Sequence, residues 1–199
     1  MQEVLALVEL GMEPREVYIV VDVEAAGPSP EAYALLAIGA CTLDDPPQTF
    51  YVELRPDRPD YTDEALAVSG LSLERLSAEG APPETALRAF ADWVALVAPA
   101  PVRPVVTALN APFDWMFLNI YMHRYLGHNP LGHAALDIKA YYMGQRGVTW
   151  GDTSYRAMAQ RYTASQPLNH RALDDALAEA RIFKAILAET RAPQGGIER

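Results

Sequence analysis

The chain has 199 residues, half of them hydrophobic and 21% charged, with a formal net charge of −10. That length and balance describe one soluble globular domain with a substantial core. They exclude a basic protein that grips long duplex nucleic acid, though not one that engages a short single-stranded end.

Residues 1–15, beginning MQEVLALVELGME, lack the basic start of a signal peptide. They read as an N-terminal extension, either a partner-binding helix or a disordered lead. No apolar run reaches the roughly 20 residues that span a bilayer, so no membrane role and a cytoplasmic location are expected. Residues 17–23, VYIVVDV, form a β-branched apolar run and predict a buried strand. Gly27-Pro28-Ser29-Pro30 ends it in a turn. Residues 33–43 and 48–54 predict two more strands, joined by a hairpin-type turn at Asp44-Asp45-Pro46-Pro47. The one cysteine, Cys41, lies in the apolar run LLAIGACTL and reads as core rather than nucleophile; alone, it excludes an intramolecular disulfide.

The pattern then turns helical. Residues 62–68 predict a short helix that Thr62 or Asp63 caps and Gly70 stops. Residues 83–97 predict an amphipathic helix with Pro83 near its start and Leu87, Phe90, Val94 and Val97 on one face. A strand at 102–109 leads to a helix that starts about Pro112 and ends at Gly127. A brief strand at 134–138 ends at Asp137, with helices near 138–144 and 153–162 and a last one at 171–190. Strands mixed with helices predict an α/β structure around a central mixed sheet, with a domain at 16–190 and a flexible tail at 191–199.

Three segments carry chemistry. Asp22 and Glu24 are two apart near the C-terminal end of the first strand, so both project from one face. Open α/β sheets place their sites at that end. Two converging carboxylates repel unless a cation lies between them, and hard divalent cations prefer oxygen ligands; a solvent-facing pair is the alternative. Asp114, in ALNAPFDW, begins a helix, where an acid also serves the helix dipole. Asn110 suits the strand-to-helix turn, and Phe113 reads as core or as a stacking ring. His170 precedes the last helix, whose first turn carries Asp174 and Asp175. Hydrophobic periodicity does not choose between these two, and capping is their alternative role. Four carboxylates and one imidazole brought together make a two-metal site with its own general base, a combination that cuts phosphodiester bonds.

These segments resemble the three motifs of the DEDD exonuclease superfamily, in the variety with His in the third motif. That group includes the proofreading subunit of bacterial DNA polymerase III, oligoribonuclease and ribonuclease T. The first motif, Asp-x-Glu and often Thr-Thr-Gly, is matched by Asp22-Val23-Glu24-Ala25-Ala26-Gly27. The second, Asn-x-x-Phe-Asp, is matched by Asn110 to Asp114, and the third, His-x-x-x-x-Asp, by His170 to Asp175, a spacing that selects Asp175 over Asp174. EALAVSGLSLERL and LDIKAYY resemble two further family stretches, and the likeness covers about residues 16–190.

The resemblance implies a ribonuclease H-like fold, a mixed five-stranded sheet flanked by helices. It implies a 3′→5′ exonuclease acting on single-stranded DNA or RNA 3′ ends and releasing nucleoside 5′-monophosphates. Two Mg²⁺ or Mn²⁺ ions would be the cofactors. Asp22 would bridge both, Glu24 and Asp175 would hold the ion at which water attacks, and Asp114 would act at the second. His170 would deprotonate the water. Ala25 and Ala26 replace the usual Thr pair, leaving backbone N–H groups for the terminal nucleotide. Ser69 stands where some relatives carry a His that meets the terminal sugar or base. Ala25, Ser69, Asn110 and Phe113 are the candidate substrate contacts. Arg171, Arg156, Arg161 and Lys139 are candidate phosphate contacts or plain surface charges. A polymerase or other repair partner, and a monomer or a homodimer, remain open. The alternatives from other classes are a catalytically silent module that binds nucleic acid or a polymerase on the same fold, and a protein whose metal cluster only stabilises it.

Overall fold

The structure, a computed structural model, describes residues 15–163 and 168–191. Most of the expected N-terminal extension and tail therefore lies outside the described residues. Strand β1 (Glu16–Ala25) is followed by β2 (Leu35–Thr42) and β3 (Thr49–Glu53). Helices α1 (Asp63–Ser69), α2 (Leu73–Glu79) and α3 (Pro83–Val97) come next. Then follow β4 (Arg103–Ala108), α4 (Ala111–Leu126), β5 (Leu136–Asp137) and α5 (Ile138–Arg146). A 3₁₀ turn at Trp150–Thr153 leads into α6 (Tyr155–Tyr162), and α7 (Ala172–Arg191) is last.

The strands form one mixed sheet in the order β3-β2-β1-β4-β5, as the resemblance implied. β1 pairs antiparallel with β2 and parallel with β4, and is central. Its apolar run is continuous because helices cover both faces. Ile19, Val21 and Val23 join one core with Leu87 and Phe90 of α3 and Phe117 and Leu118 of α4. Val20 joins the other core with Cys41 of β2 and with Ile182, Phe183 and Ile186 of α7. The alternation of side chains along β1 therefore sends Asp22 and Glu24 to the α7 face.

The two carboxylates meet small residues on the neighbouring strand, where Asp22 pairs with Gly39 and Glu24 with Ala37. A Cβ on Gly39 would lie 2.2 Å from both the Ala172 carbonyl carbon and the Leu173 nitrogen. The first turn of α7 thus rests directly on the β2 backbone, a close approach open only to glycine. The register of β1 on β2 also shifts between Glu24 and Ala25, an irregularity of the kind that re-aims side chains beside active sites.

The expected helices form, with adjusted limits. Thr62, rather than Asp63, caps α1 by accepting a bond from Ala65 N at 3.2 Å, and Gly70 closes it at φ 65°. Helix α2 was not expected: Ser72 caps it, and only Leu76 of its residues is buried, too little for an apolar period to show. The strand expected at 134–138 shrinks to two residues. In α4, the Tyr121 hydroxyl accepts a bond from Leu35 N at 2.9 Å and so pins the helix to the start of β2.

Gly39→Ala is expected to lower stability by about 1–3 kcal/mol, because α7 must shift to admit the methyl group. Urea unfolding checks this, and an unchanged midpoint and slope would contradict the close approach.

Candidate active site

Asp22 and Glu24 stand at the C-terminal end of β1, and α7 lays Asp175 over them. One oxygen from each of the three carboxylates lies within 4.8 Å of the others. Asp175 is 3% exposed. Its Oδ1 accepts from Asn169 N at 3.1 Å and its Oδ2 from His170 N at 2.9 Å. The same carboxylate that faces β1 therefore folds the loop that carries the imidazole, with His170 at φ 56°. Asp174 turns outward, to Asn169 Nδ2 at 3.0 Å and to the exposed Arg171. Burial thus separates two neighbours that periodicity could not.

Asp114 arrives from the other side of β1, in the first turn of α4. It is 5% exposed and its Oδ1 accepts from Val23 N at 3.0 Å, the residue between Asp22 and Glu24. Asn110 makes the sharp entry into α4 at φ 70°, one of two non-glycine residues in the left-handed region among those described.

A cavity of about 510 Å³ opens over this cluster. Asp22, Glu24, Asp114, His170 and Asp175 all line it, so the five residues expected to act together do meet. Ala25, Asn110 and Phe113 line it too. Ser69 does not: it is buried, and its hydroxyl accepts from Leu71 N at 3.4 Å in the turn after α1. Helix α1 turns Val68 and Ala65 to the cavity instead, and Leu168 closes another part of its wall. None of Arg171, Arg156, Arg161 and Lys139 lines it; Arg161 reaches Glu189 at 3.4 Å, and Lys139 Nζ lies 4.1 Å above the Trp150 ring. Ala26 is buried with Ala34, Leu36 and Leu76 and does not line the cavity.

The electrostatics call for a counter-charge. Burial, then the nearby Asp175 and Asp114, pushes the Glu24 carboxyl up to about 8. Burial also lifts Asp114 to about 8, against the opposing bond from Val23 N. Asp22 is raised well above its ordinary value by burial first and then by Glu179, Asp114, Glu24 and Asp175. Asp175 is raised by burial despite its two backbone donors. Glu179, which the sequence reading passed over, is 2% exposed and is also raised by burial and by Asp114. Its signal was its place four residues beyond Asp175, on the same face of the last helix. An oxygen-only cluster with this excess of negative charge fits hard divalent cations. Asp22, Glu24 and Asp175 are the residues that would hold one, with Asp114 beside them.

The exonuclease family model matches residues 19–183 of the chain. The 3′-5′ DNA exonuclease Cap18 of Escherichia coli is 40% identical over 172 residues, which is 86% of this chain and 92% of that protein. Among solved structures, the nuclease domain of 3′hExo, a DEDDh family member bound to rAMP, superposes with a TM-score of 0.72 at 20% identity, covering 87% of this chain and 92% of that one. E. coli exonuclease I in complex with a dT13 oligonucleotide superposes with a TM-score of 0.63 at 19% identity, covering 90% of this chain and 42% of that one. No helix among the described residues is long and apolar enough to cross a membrane.

The raised carboxyls set a pH dependence for the metal-free protein. Below the ordinary carboxylate range these groups are protonated in both states and do not alter stability. From about pH 4.5 to about pH 8 the folded chain retains protons that the unfolded chain releases, so stability falls as pH rises. In EDTA the melting temperature is expected to be lower at pH 8 than at pH 6. Mn²⁺ at pH 8 is expected to restore it by neutralising the cluster. A melting temperature indifferent to both would contradict this electrostatic reading.

Proposed function

The chain belongs to the exonuclease family and is a 3′→5′ exonuclease, and on that premise we propose that it degrades single-stranded DNA from the 3′ end, releasing nucleoside 5′-monophosphates. The observation that carries this reading is the convergence of Asp22, Glu24 and Asp175 within 4.8 Å beneath a cavity that His170 also lines. The substrate follows the similarity to the 3′-5′ DNA exonuclease Cap18. An acidic chain with a cavity of this size suits a terminal nucleotide rather than a long duplex footprint.

Exonucleases of this family use divalent metals. Two ions, Mg²⁺ or Mn²⁺, held by Asp22, Glu24, Asp114 and Asp175, would make water a nucleophile at neutral pH and offset charge on the scissile phosphate and the leaving 3′ oxygen. His170, on a loop that Asp175 holds by two backbone bonds, accepts the proton from the attacking water. Asp114 keeps the first motif in place through Val23 N, so the strand and α4 carry their carboxylates as one unit. The Phe113 ring stacks on the terminal base, since base–aromatic stacking tolerates any sequence, and Val68 faces the same space. Asn110 and the backbone at Ala25 offer polar contacts to the sugar and phosphate. Ser69 acts at one remove, by fixing the turn that follows Val68.

The test is a nuclease assay on 3′- and 5′-labelled single-stranded DNA and RNA, with Mn²⁺ against EDTA. Mononucleotides are expected from the 3′ end of DNA, with metal only. Asp22→Ala is expected to lower kcat by at least about 100-fold, more than the loss typical of partners outside the ligand set. Full activity in that variant would contradict the reading. Binding of DNA or of a polymerase without mononucleotide release would favour a silent module.

A further inference from the structure

Glu179 is unused in the chemistry above, yet it is placed with care. It lies one helical turn beyond Asp175 on α7, and its Oε2 accepts a hydrogen bond from Leu109 N at 3.1 Å. Leu109 leaves the end of β4 and leads into Asn110 and Asp114. The bond therefore joins the helix of the third motif to the turn of the second, across 70 residues of sequence. A carboxylate only 2% exposed is a costly way to fill space. The other buried positions of this helix take Ala, Ile, Phe or Leu, apart from Asp175 itself. An apolar side chain at 179 would pack as they do but leave the Leu109 N–H without an acceptor.

We propose that Glu179 is a positioning residue whose carboxylate straps the Leu109–Asn110 turn to α7 and so sets where Asp114 stands relative to Asp22 and Asp175. The proposal rests on the metal-dependent reading above. The strap needs an acceptor at the reach of Glu; charge alone does not suffice. Without it, the turn at the start of α4 is free to draw back from α7, and the carboxylates on the two sides of β1 lose their fixed separation. Such a change weakens metal binding more than it weakens contact with the nucleic acid.

Two substitutions with opposite chemistry test this. Glu179→Gln keeps the acceptor at the same reach and removes the charge. Glu179→Asp keeps the charge and shortens the reach by one methylene. E179Q is expected to stay within a few-fold of the unaltered chain in the Mn²⁺ concentration for half-maximal activity. E179D is expected to need about 10–100 times more Mn²⁺, with KM for a single-stranded oligonucleotide little changed. The rise in melting temperature on adding Mn²⁺, which needs no substrate, is expected to shrink in E179D and persist in E179Q. The proposal is overturned if E179D matches the unaltered chain or if E179Q loses as much as E179D. An unaltered chain that releases no mononucleotide would count against the proposed function instead, and the melting shifts would still decide the strap.

Discussion

The contact between the first turn of α7 and the bare backbone of β2 at Gly39 sets the rest of the site. Gly39 pairs with Asp22 in the adjacent strand, and Ala37 pairs with Glu24. The carboxylates of β1 thus stand beside two small residues, and the first turn of α7 packs so closely on Gly39 that a Cβ there would lie 2.2 Å from the helix backbone. Any larger side chain there would lift the helix, and with it Asp175 and His170. Close-packed interiors transmit such a shift instead of absorbing it. The position of the third motif is therefore a steric consequence of two residues that carry no chemistry.

The second constraint is charge. Four carboxylates and Glu179 lie close together around one strand end, and most of them are raised by their own burial before their neighbours act on them. Backbone donors offset part of that cost: Val23 N for Asp114, Asn169 N and His170 N for Asp175, and Leu109 N for Glu179. Each of these bonds ties one motif to another or folds the loop beside it, so the bonds that make the carboxylates tolerable also fix their geometry. The remaining negative charge is what a divalent cation site needs.

Much of this was legible in the sequence. The period of two placed Asp22 and Glu24 on one face, and the resemblance to the family's third motif selected Asp175, the buried aspartate. The apolar run of β1 marked a strand covered on both sides. What escaped has physical reasons. Helix α2 buries little and leaves no periodic trace. Ser69 and Val68 differ by one position on a single-turn scale, and the wall of a cavity cannot be assigned at that precision from a short helix. Glu179 drew no notice, because its partner is a backbone N–H at Leu109 that no side-chain pattern announces. The glycine in LLAIGACT was visible, but the helix backbone that requires it lies more than 130 residues away.

The central claim is that the converging carboxylates hold the metal ions of the reaction, and the stoichiometry of Mn²⁺ binding tests it most directly. Calorimetric titration in the presence of a nucleoside 5′-monophosphate is predicted to find two ions per chain, with binding lost when Asp22 and Asp175 are both replaced by Ala. A chain that binds no Mn²⁺ under these conditions, or one whose binding survives that double replacement, would contradict the account.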